Sequence, residues 1–560
     1  LFLCMVMETE ELTYQIPKQW RDNTKMFSLY PPIPKNTAAA NFDIYDFEML
    51  FNDEPTNKII RTGQTIGCFY IESPGMRSLL RKLDVHDFEM LTAASSIIRP
   101  GVAESGMMQE FIARHKDPAK RKYLVPAMED VLGETYGVMI YQEDVIKVAH
   151  HVAGLTLEES DLLRRAMSGK MRSHSAMQKI VDKYFLSCKN KGLTDTQAKE
   201  LWRQIESFAG YSFCKAHSAS FALLSYQVAF LKSHYPAEFM ASVLSNGGGF
   251  YSAAVYVWEC KRLGLKILLP CINKSSNEYA GSKVEIRIGF MAIKNLSYNS
   301  VQKILDERKK DGEYHSLADF LIRTKLAFEE TSILIKCGAM GCFKKTRPEL
   351  LRLLDIYIHK RKILNESYND LFLHETFVME DEVKTNINFS VEEICKTEYE
   401  TFDYMVTRHP LYFYRSFTEH HSIVKAKDLN KYRSKNVRLI GWYMTSKRIK
   451  TRKGDIMKFL SLEDTTGTFE AVIFPRAYEQ FAELTMSMGP YIIDGKVDEN
   501  DATNVVVSKL IVLSVASVKV EDQKDSVDNK YFGDVEKISE EDFMLLEGID
   551  KEKLRLAYAS

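Results

Sequence analysis

The 560-residue sequence has no Cys-x-x-Cys pair: its nine cysteines are scattered, and the nearest two, Cys337 and Cys342, have no histidine or second pair beside them. That pattern argues against structural zinc and for free thiols in a reducing cytoplasm. No apolar run reaches the roughly 20 residues that span a bilayer. The opening LFLCMVM lacks a basic leader and a small-residue cleavage site, so neither a membrane nor a secretory reading is expected. Net charge is also missing, with 75 Lys and Arg against 76 Asp and Glu. A polyanion partner would therefore have to be met by local segregation of charge. There is no internal repeat. An opening on Leu1 rather than Met is what a partial reading frame would show.

At this length one core is too few, and about three to five domains are expected. An apolar content of 45% and a charged content of 27% are those of globular domains. The stretch 161–235 organises the chain. Between Asp161 and Asp182 it carries Arg164, Arg165, Lys170, Arg172 and Lys179 with no acid, which reads as a cradle for a polyanion or as a solvated helix face. From Phe208 to Tyr226 it mixes Gly210, Tyr211, Lys215, His217 and Ser218 into a small-residue helix pattern, offering donors, rings and close backbone approach together. Upstream, Ser73 and Pro74 read as the cap and first turn of a helix. From Val437 the period becomes that of strands. Five of them, with a helical insert at AYEQFAEL, give the count and order of an OB-type barrel. In its first hairpin Lys447, Arg448, Lys450, Arg452 and Lys453 place five cations in seven residues, with Trp442, Tyr443, Phe459 and Phe469 on the strands. Basic loops and stacking rings are how such barrels hold single strands, although alternation must put some rings inside.

Taken in order, CFYIESPGM (68–76), IIRPG (97–101), ETYGVMIYQEDV (134–145), DLLRRAMSGK (161–170), FAGYSFCKAHSASFALLSYQ (208–227), LKSHYPAEFM (231–240) and KGDIMKFLSLEDTTGTFEAVIFP (453–475) resemble the bacterial DNA polymerase III alpha subunit, the C-family replicative polymerase. The resemblance is collinear over roughly 40–515 and covers the family's portion from the end of the palm through its OB domain. It implies a multidomain α+β chain: helical fingers and a helix-hairpin-helix region, then a five-stranded OB-type β-barrel. The implied parts are a poorly matched segment 1–60, fingers 61–255, a helix-hairpin-helix-like DNA-binding region 256–355, a linker with a clamp-binding peptide 356–425, the OB-fold 426–515 and an acidic tail 516–560.

The same resemblance assigns Arg164, Arg165, Lys215, His217 and Tyr226 to the incoming nucleotide, and it places the DNA against Lys170, Arg172 and the barrel cations Lys447, Arg448, Lys450, Arg452 and Lys453. Leu371 and Phe372 match a clamp-binding peptide, with Tyr368 where the family usually has Gln. The implied partners are primer–template and single-stranded DNA, deoxynucleoside triphosphates, a sliding clamp and other replisome subunits. The complete enzyme would use Mg²⁺ on palm aspartates that this sequence does not match. Asp43 and Asp46 in FDIYDF have a metal-like spacing, yet they fall after the palm by register and read as a helix start. No catalytic or metal residue is therefore assigned, and the isolated chain is expected to be inactive in synthesis. The turn KNLSYNS lacks the glycines of a phosphate-binding hairpin, so a structural role is as well supported there. The rival reading is a non-catalytic single-strand-binding or replisome-tethering protein that has lost the palm.

Overall fold

The computed structural model describes residues 42–98, 106–166, 174–209, 214–365, 387–451 and 453–513. Lys170, Arg172, Arg452 and the peptide Tyr368, Leu371 and Phe372 lie outside them, as do 1–41 and the tail from 514. Two compact units divide between His409 and Pro410.

The first unit begins with helices α1 (Phe47–Asn52), α2 (Glu54–Thr62), α3 (Pro74–Leu83), α4 (Phe88–Ile97), α5 (Met107–Lys116) and α6 (Ala127–Leu132). As its sequence predicts, Ser73 Oγ caps α3 by accepting from the Met76 N–H at 3.4 Å, with Pro74 in the first turn. Helices α7 (Gln142–Lys147), α8 (Leu157–Arg165), α9 (His174–Asn190) and α10 (Asp195–Ala209) follow. The core is then closed by α11 (Lys215–His234), α12 (Pro236–Asn246) and α13 (Ala253–Arg262).

Helix α11 is the one the others pack around. It lies on α4 and α2, and from Ser225 to Lys232 every side chain is buried. Its Ala and Ser residues permit that close approach, and its polar atoms all find partners, as buried polar groups must. Ser218 Oγ meets Ser96 Oγ at 2.7 Å, Ser225 Oγ donates to the Phe69 carbonyl at 3.0 Å, and Gln227 Nε2 donates to the Ile44 carbonyl at 3.1 Å. Lys232, with no exposed side-chain surface, donates to the Gln64 and Ile66 carbonyls and to Glu259 Oε1, at 2.8, 2.8 and 2.7 Å. Burial alone would raise the Glu259 carboxyl, but the Lys232 and Arg262 charges outweigh it and hold it at about 2.

Strands β1 (Lys266–Leu268), β2 (Ala280–Ser282) and β3 (Glu285–Arg287) form a small sheet ordered β1-β3-β2. Helices α14 (Tyr298–Asp311), α15 (Leu317–Thr324), α16 (Phe328–Lys336), α17 (Arg347–Asn365) and α18 (Val391–Phe402) complete the unit. The described end of the stretch read as a linker, from 387, is folded. Helix α18 packs on α16 with Cys395, Glu398 and Phe402 buried, and Glu398 accepts the Val406 and Thr407 N–H groups at 2.7 and 2.8 Å.

The second unit starts with the short helix α19 (Arg415–His420) and closes a five-stranded barrel from β4 (Asn436–Lys450), β5 (Ile456–Glu463), β6 (Thr468–Ile473), β7 (Tyr491–Val497) and β8 (Asn504–Val512), with α20 (Pro475–Phe481) between β6 and β7. The cyclic order is β4-β5-β6-β8-β7, antiparallel except for β6 on β8. Its 15 residues let β4 serve two neighbours: Asn436–Gly441 pair with β7 and Trp442–Lys450 with β5. The handover falls on Gly441, where a Cβ would lie 2.7 Å from Leu462 Cβ and 2.8 Å from Phe469 Cζ. Inward residues such as Leu439, Leu460, Leu462, Phe469, Ile493 and Val505 fill the core.

Candidate functional site

The Tyr141-Gln142-Glu143-Asp144 run at the start of α7 is the hub of the first unit's polar surface, and each residue holds something different. Asp144 Oδ2 accepts the Ile140 and Tyr141 N–H groups, both at 2.9 Å, which closes the helix start. Burial pushes that carboxyl up to about 6 against those two donors. Gln142 Oε1 accepts from Arg164 Nη1 at 3.1 Å, and Glu143 Oε2 accepts the Lys215 N–H at 2.9 Å. The Tyr141 ring lies under Lys215 Nζ, 5.3 Å from it. One turn of helix thus joins the end of α8 to the start of α11, segments some 50 residues apart in sequence.

Arg164 and Arg165 share one carboxylate. Arg164 Nε and Nη2 donate to Asp161 Oδ1 at 3.0 and 2.8 Å, while Arg165 Nη2 is 2.6 Å from Asp161 Oδ2. The Arg164 hydrogen bond is the chief reason the Asp161 carboxyl sits below its ordinary value. Arg165 is the more open of the two, with 61% of its side chain exposed against 16% for Arg164. Lys215 Nζ bridges both oxygens of Glu134 at 2.8 and 2.9 Å, and Lys147 reaches the same carboxylate at 4.0 Å. The cations are therefore held in place by neighbouring acids.

His217 is exposed, with its ring 4.2 Å from that of Phe221. Phe69 and Tyr70 complete a surface cluster, 5.5 and 5.0 Å from Phe221. Tyr70 adopts a left-handed φ of 69°, a strained value for a tyrosine, and strain of this kind gathers at functional surfaces. These three rings were missed in the sequence, although CFYIES and KAHSASF both signal them. Tyr226 is not on this surface. It is completely buried, edge-on to Phe51 at 5.1 Å, and it donates to Asn57 Oδ1 at 3.1 Å. Its place is the core beneath the face.

Asp43 and Asp46 form a helix start: Asp43 Oδ1 accepts the Tyr45 N–H at 2.9 Å and Asp46 Oδ1 accepts the Met49 N–H at 3.0 Å. Among the described residues no group of His, Cys, Asp and Glu is placed to hold a metal ion. The turn 294–300 has an occupant of its own. Glu330 accepts the Ser297 N–H at 3.0 Å and the Ser300 hydroxyl at 2.7 Å, at the start of α14 where a phosphate would sit.

On the barrel, Lys447, Arg448 and Lys450 are exposed at the end of β4, and a turn closed by Thr451 N–H to the Asp455 carbonyl at 2.7 Å follows. Lys453 is exposed in that turn, and among the described residues none of these four cations is ion-paired. Lys447 lies directly across from Phe459, so one half-exposed ring stands beside the basic hairpin. Phe469 is core, and Trp442 packs on a second cluster with Tyr414 and Ile440. Sequence reading missed Lys458, opposite Arg448: it is buried, donates to the Thr485 carbonyl at 2.8 Å, and burial first and Arg448 second lower its pKa. It also missed a cavity of about 490 Å³ before β4, lined by Lys425, Lys427, Lys431, Asp428 and Tyr432, where Lys431 pairs with Asp428 at 2.6 Å.

The arrangement is that of a helical unit presenting held cations and stacking rings, with a barrel of OB order carrying a basic hairpin. Residues 32–192 match the bacterial DNA polymerase III alpha subunit finger domain, and 264–350 match a helix-hairpin-helix motif. The chain is 33% identical over 485 residues to DNA polymerase III subunit alpha of Aquifex aeolicus, covering 85% of this chain and 40% of that protein. It is 32% identical over 473 residues to its counterpart in Staphylococcus aureus strain Mu50, covering 83% and 43%. The chain belongs to the bacterial DNA polymerase III alpha-subunit family. It spans about 40% of the length of these relatives.

Proposed function

We propose that this chain supplies the nucleotide-binding and DNA-binding parts of a DNA-directed DNA polymerase acting in replication. The observation that carries the reading is the junction built by Tyr141–Asp144, which holds Arg164 and Lys215 around one surface. Guanidinium forks suit phosphate oxygens, and a triphosphate would take Arg164 and Arg165 from Asp161, and Lys215 from Glu134. His217 with Phe69, Tyr70 and Phe221 would then offer stacking surface to sugar and base. The barrel hairpin would track single-stranded template, and Tyr368, Leu371 and Phe372 would dock on a sliding clamp through two apolar anchors. Mg²⁺ would accompany the triphosphate, but Asp43 and Asp46 do not fit a metal pair, since each accepts a backbone N–H at the start of α1.

Photo-crosslinking tests this reading. A base-modified azido deoxynucleoside triphosphate, bound to the chain with primed DNA, should attach within 134–147, 161–165 or 214–221. Labelling confined to other segments would contradict it.

A further inference from the structure

The cavity of about 490 Å³ in the second unit belongs neither to the proposed nucleotide surface nor to the basic hairpin. It lies along the segment 422–432, which leads through the 3₁₀ turn Ala426–Tyr432 toward β4. Its walls are fixed from behind. Ile423 packs on the cluster of Leu411 and Tyr414, while Val424 and Tyr432 pack on the barrel core. The Val424 N–H donates to the Arg438 carbonyl at 2.8 Å, which ties the cavity to the start of β4. Asp464 accepts the Ala426 N–H at 2.8 Å and the Thr466 and Gly467 N–H groups at 2.6 and 2.9 Å. One carboxylate thus clamps the turn to the connection between β5 and β6. The volume is that of a small-molecule site, which commonly runs from roughly 300 to 1,000 Å³.

The lining is strongly cationic. It brings Lys425, Lys427 and Lys431 together with a single carboxylate, Asp428. Lys431 Nζ donates to Asp428 Oδ1 at 2.6 Å; that bond first, and the Lys427 and Lys425 charges after it, keep the Asp428 carboxyl below its ordinary value. Lys425 and Lys427 are exposed, and among the described residues neither is ion-paired. On the adjoining strand, by contrast, Arg438 is neutralised by Asp494 at 2.6 and 2.8 Å. Three ammoniums around one concave surface repel each other unless an anion of more than one charge sits among them. Ile423, Val424 and the Tyr432 ring add apolar wall that a bare inorganic anion would leave unused. Among the described residues the lining holds no Asn, Gln or Arg to read the edge of a base.

We propose that this cavity binds a free nucleoside triphosphate, with its phosphates on Lys425, Lys427 and Lys431 and its base on the wall of Ile423, Val424 and Tyr432. Ammonium groups bind phosphate as point charges, and three of them suit a polyphosphate chain. Stacking on an aromatic ring takes any base, so purine and pyrimidine nucleotides both fit. The phosphates compete with Asp428 for Lys431. The site is separate from the basic hairpin: Arg438, beside the cavity, and Lys447 are nine positions apart on β4, about 30 Å at the rise of a strand. A cavity of about 490 Å³ holds one nucleotide and not a run of them.

The test irradiates the whole 560-residue chain with 8-azidoadenosine triphosphate, without DNA, and maps the labelled peptides. Label should appear within 422–432. Inorganic tripolyphosphate and thymidine triphosphate should each suppress it, and 8-azidoadenosine, which has no phosphates, should give none. Replacing Lys425, Lys427 and Lys431 together by Ser should raise the half-saturating concentration by at least about tenfold, since charge-assisted hydrogen bonds are lost. Asp428→Asn, which frees Lys431, should lower it. The label is read on peptides distinct from 134–147, 161–165 and 214–221, so this site and the proposed nucleotide surface can fail separately. Three results would each overturn the proposal: no label within 422–432, label at the same half-saturation in both variants, or label displaced by oligothymidylate and not by tripolyphosphate. The last would mark a strand site instead.

Discussion

Tyr226 and Glu259 show how a side chain's role is set by partners far off in sequence. Tyr226 sits in a motif dense with polar residues, and nothing local distinguishes it from His217. It is buried because Phe51, Asn57 and Phe88 converge on it from helices more than 130 residues upstream. Tyr226→Phe removes its hydrogen bond to Asn57 and should cost roughly 1–2 kcal/mol of stability. Nucleotide affinity measured on the same protein should not change, and a weaker affinity would return Tyr226 to the binding surface. Glu259 and Lys232 are a buried pair, and removing one charge strands the other. Glu259→Gln should therefore lower stability by about 3–5 kcal/mol at neutral pH. Since Glu259 binds its proton more weakly in the fold, its contribution is fully present above its ordinary 4.5 and is lost as pH falls toward about 2. Urea unfolding along that range should show the gap between native and variant protein closing, whereas a constant gap would mean the ion pair contributes nothing.

Among the elements, the barrel was the most legible part of the sequence, because alternation on five strands and the insert before β7 both survive in local pattern. The cap of α3 was legible for the same reason, since Ser73 and Pro74 act on their own turn. The turn at 294–300 was less so. Its missing glycines were visible, but the occupant, Glu330, comes from the next helix pair, 30 positions on. Likewise the strands named Trp442, Tyr443, Phe459 and Phe469 without saying which faces out; closure of the barrel leaves Phe459 beside the hairpin and draws Phe469 inside. Replacing Lys447, Arg448, Lys450, Arg452 and Lys453 by Ser should weaken single-strand binding and flatten the slope of log affinity against log salt by about 0.7 for each phosphate no longer neutralised. If the slope stays the same, the strand runs elsewhere, and the lysines around the cavity at 422–432 become the better candidates.

For the whole molecule, the residue types of the proposed nucleotide surface could be read from DLLRRAM and KAHS, but their assembly could not. Asp161 was counted as the boundary of an acid-free basic stretch, whereas in the fold it holds both arginines. The proposed function requires that these arginines, kept ready by Asp161, change partner when a triphosphate arrives. Titration of the whole chain with a magnesium deoxynucleoside triphosphate, in the presence of primed DNA, tests it most directly. Charge-assisted hydrogen bonds of roughly 1.5–3 kcal/mol each imply that Arg164→Ala with Arg165→Ala weakens nucleotide affinity by at least about tenfold. Asp161→Asn, which removes the competing carboxylate, should strengthen it. Equal affinities for the native chain, the double arginine variant and the asparagine variant would contradict the account.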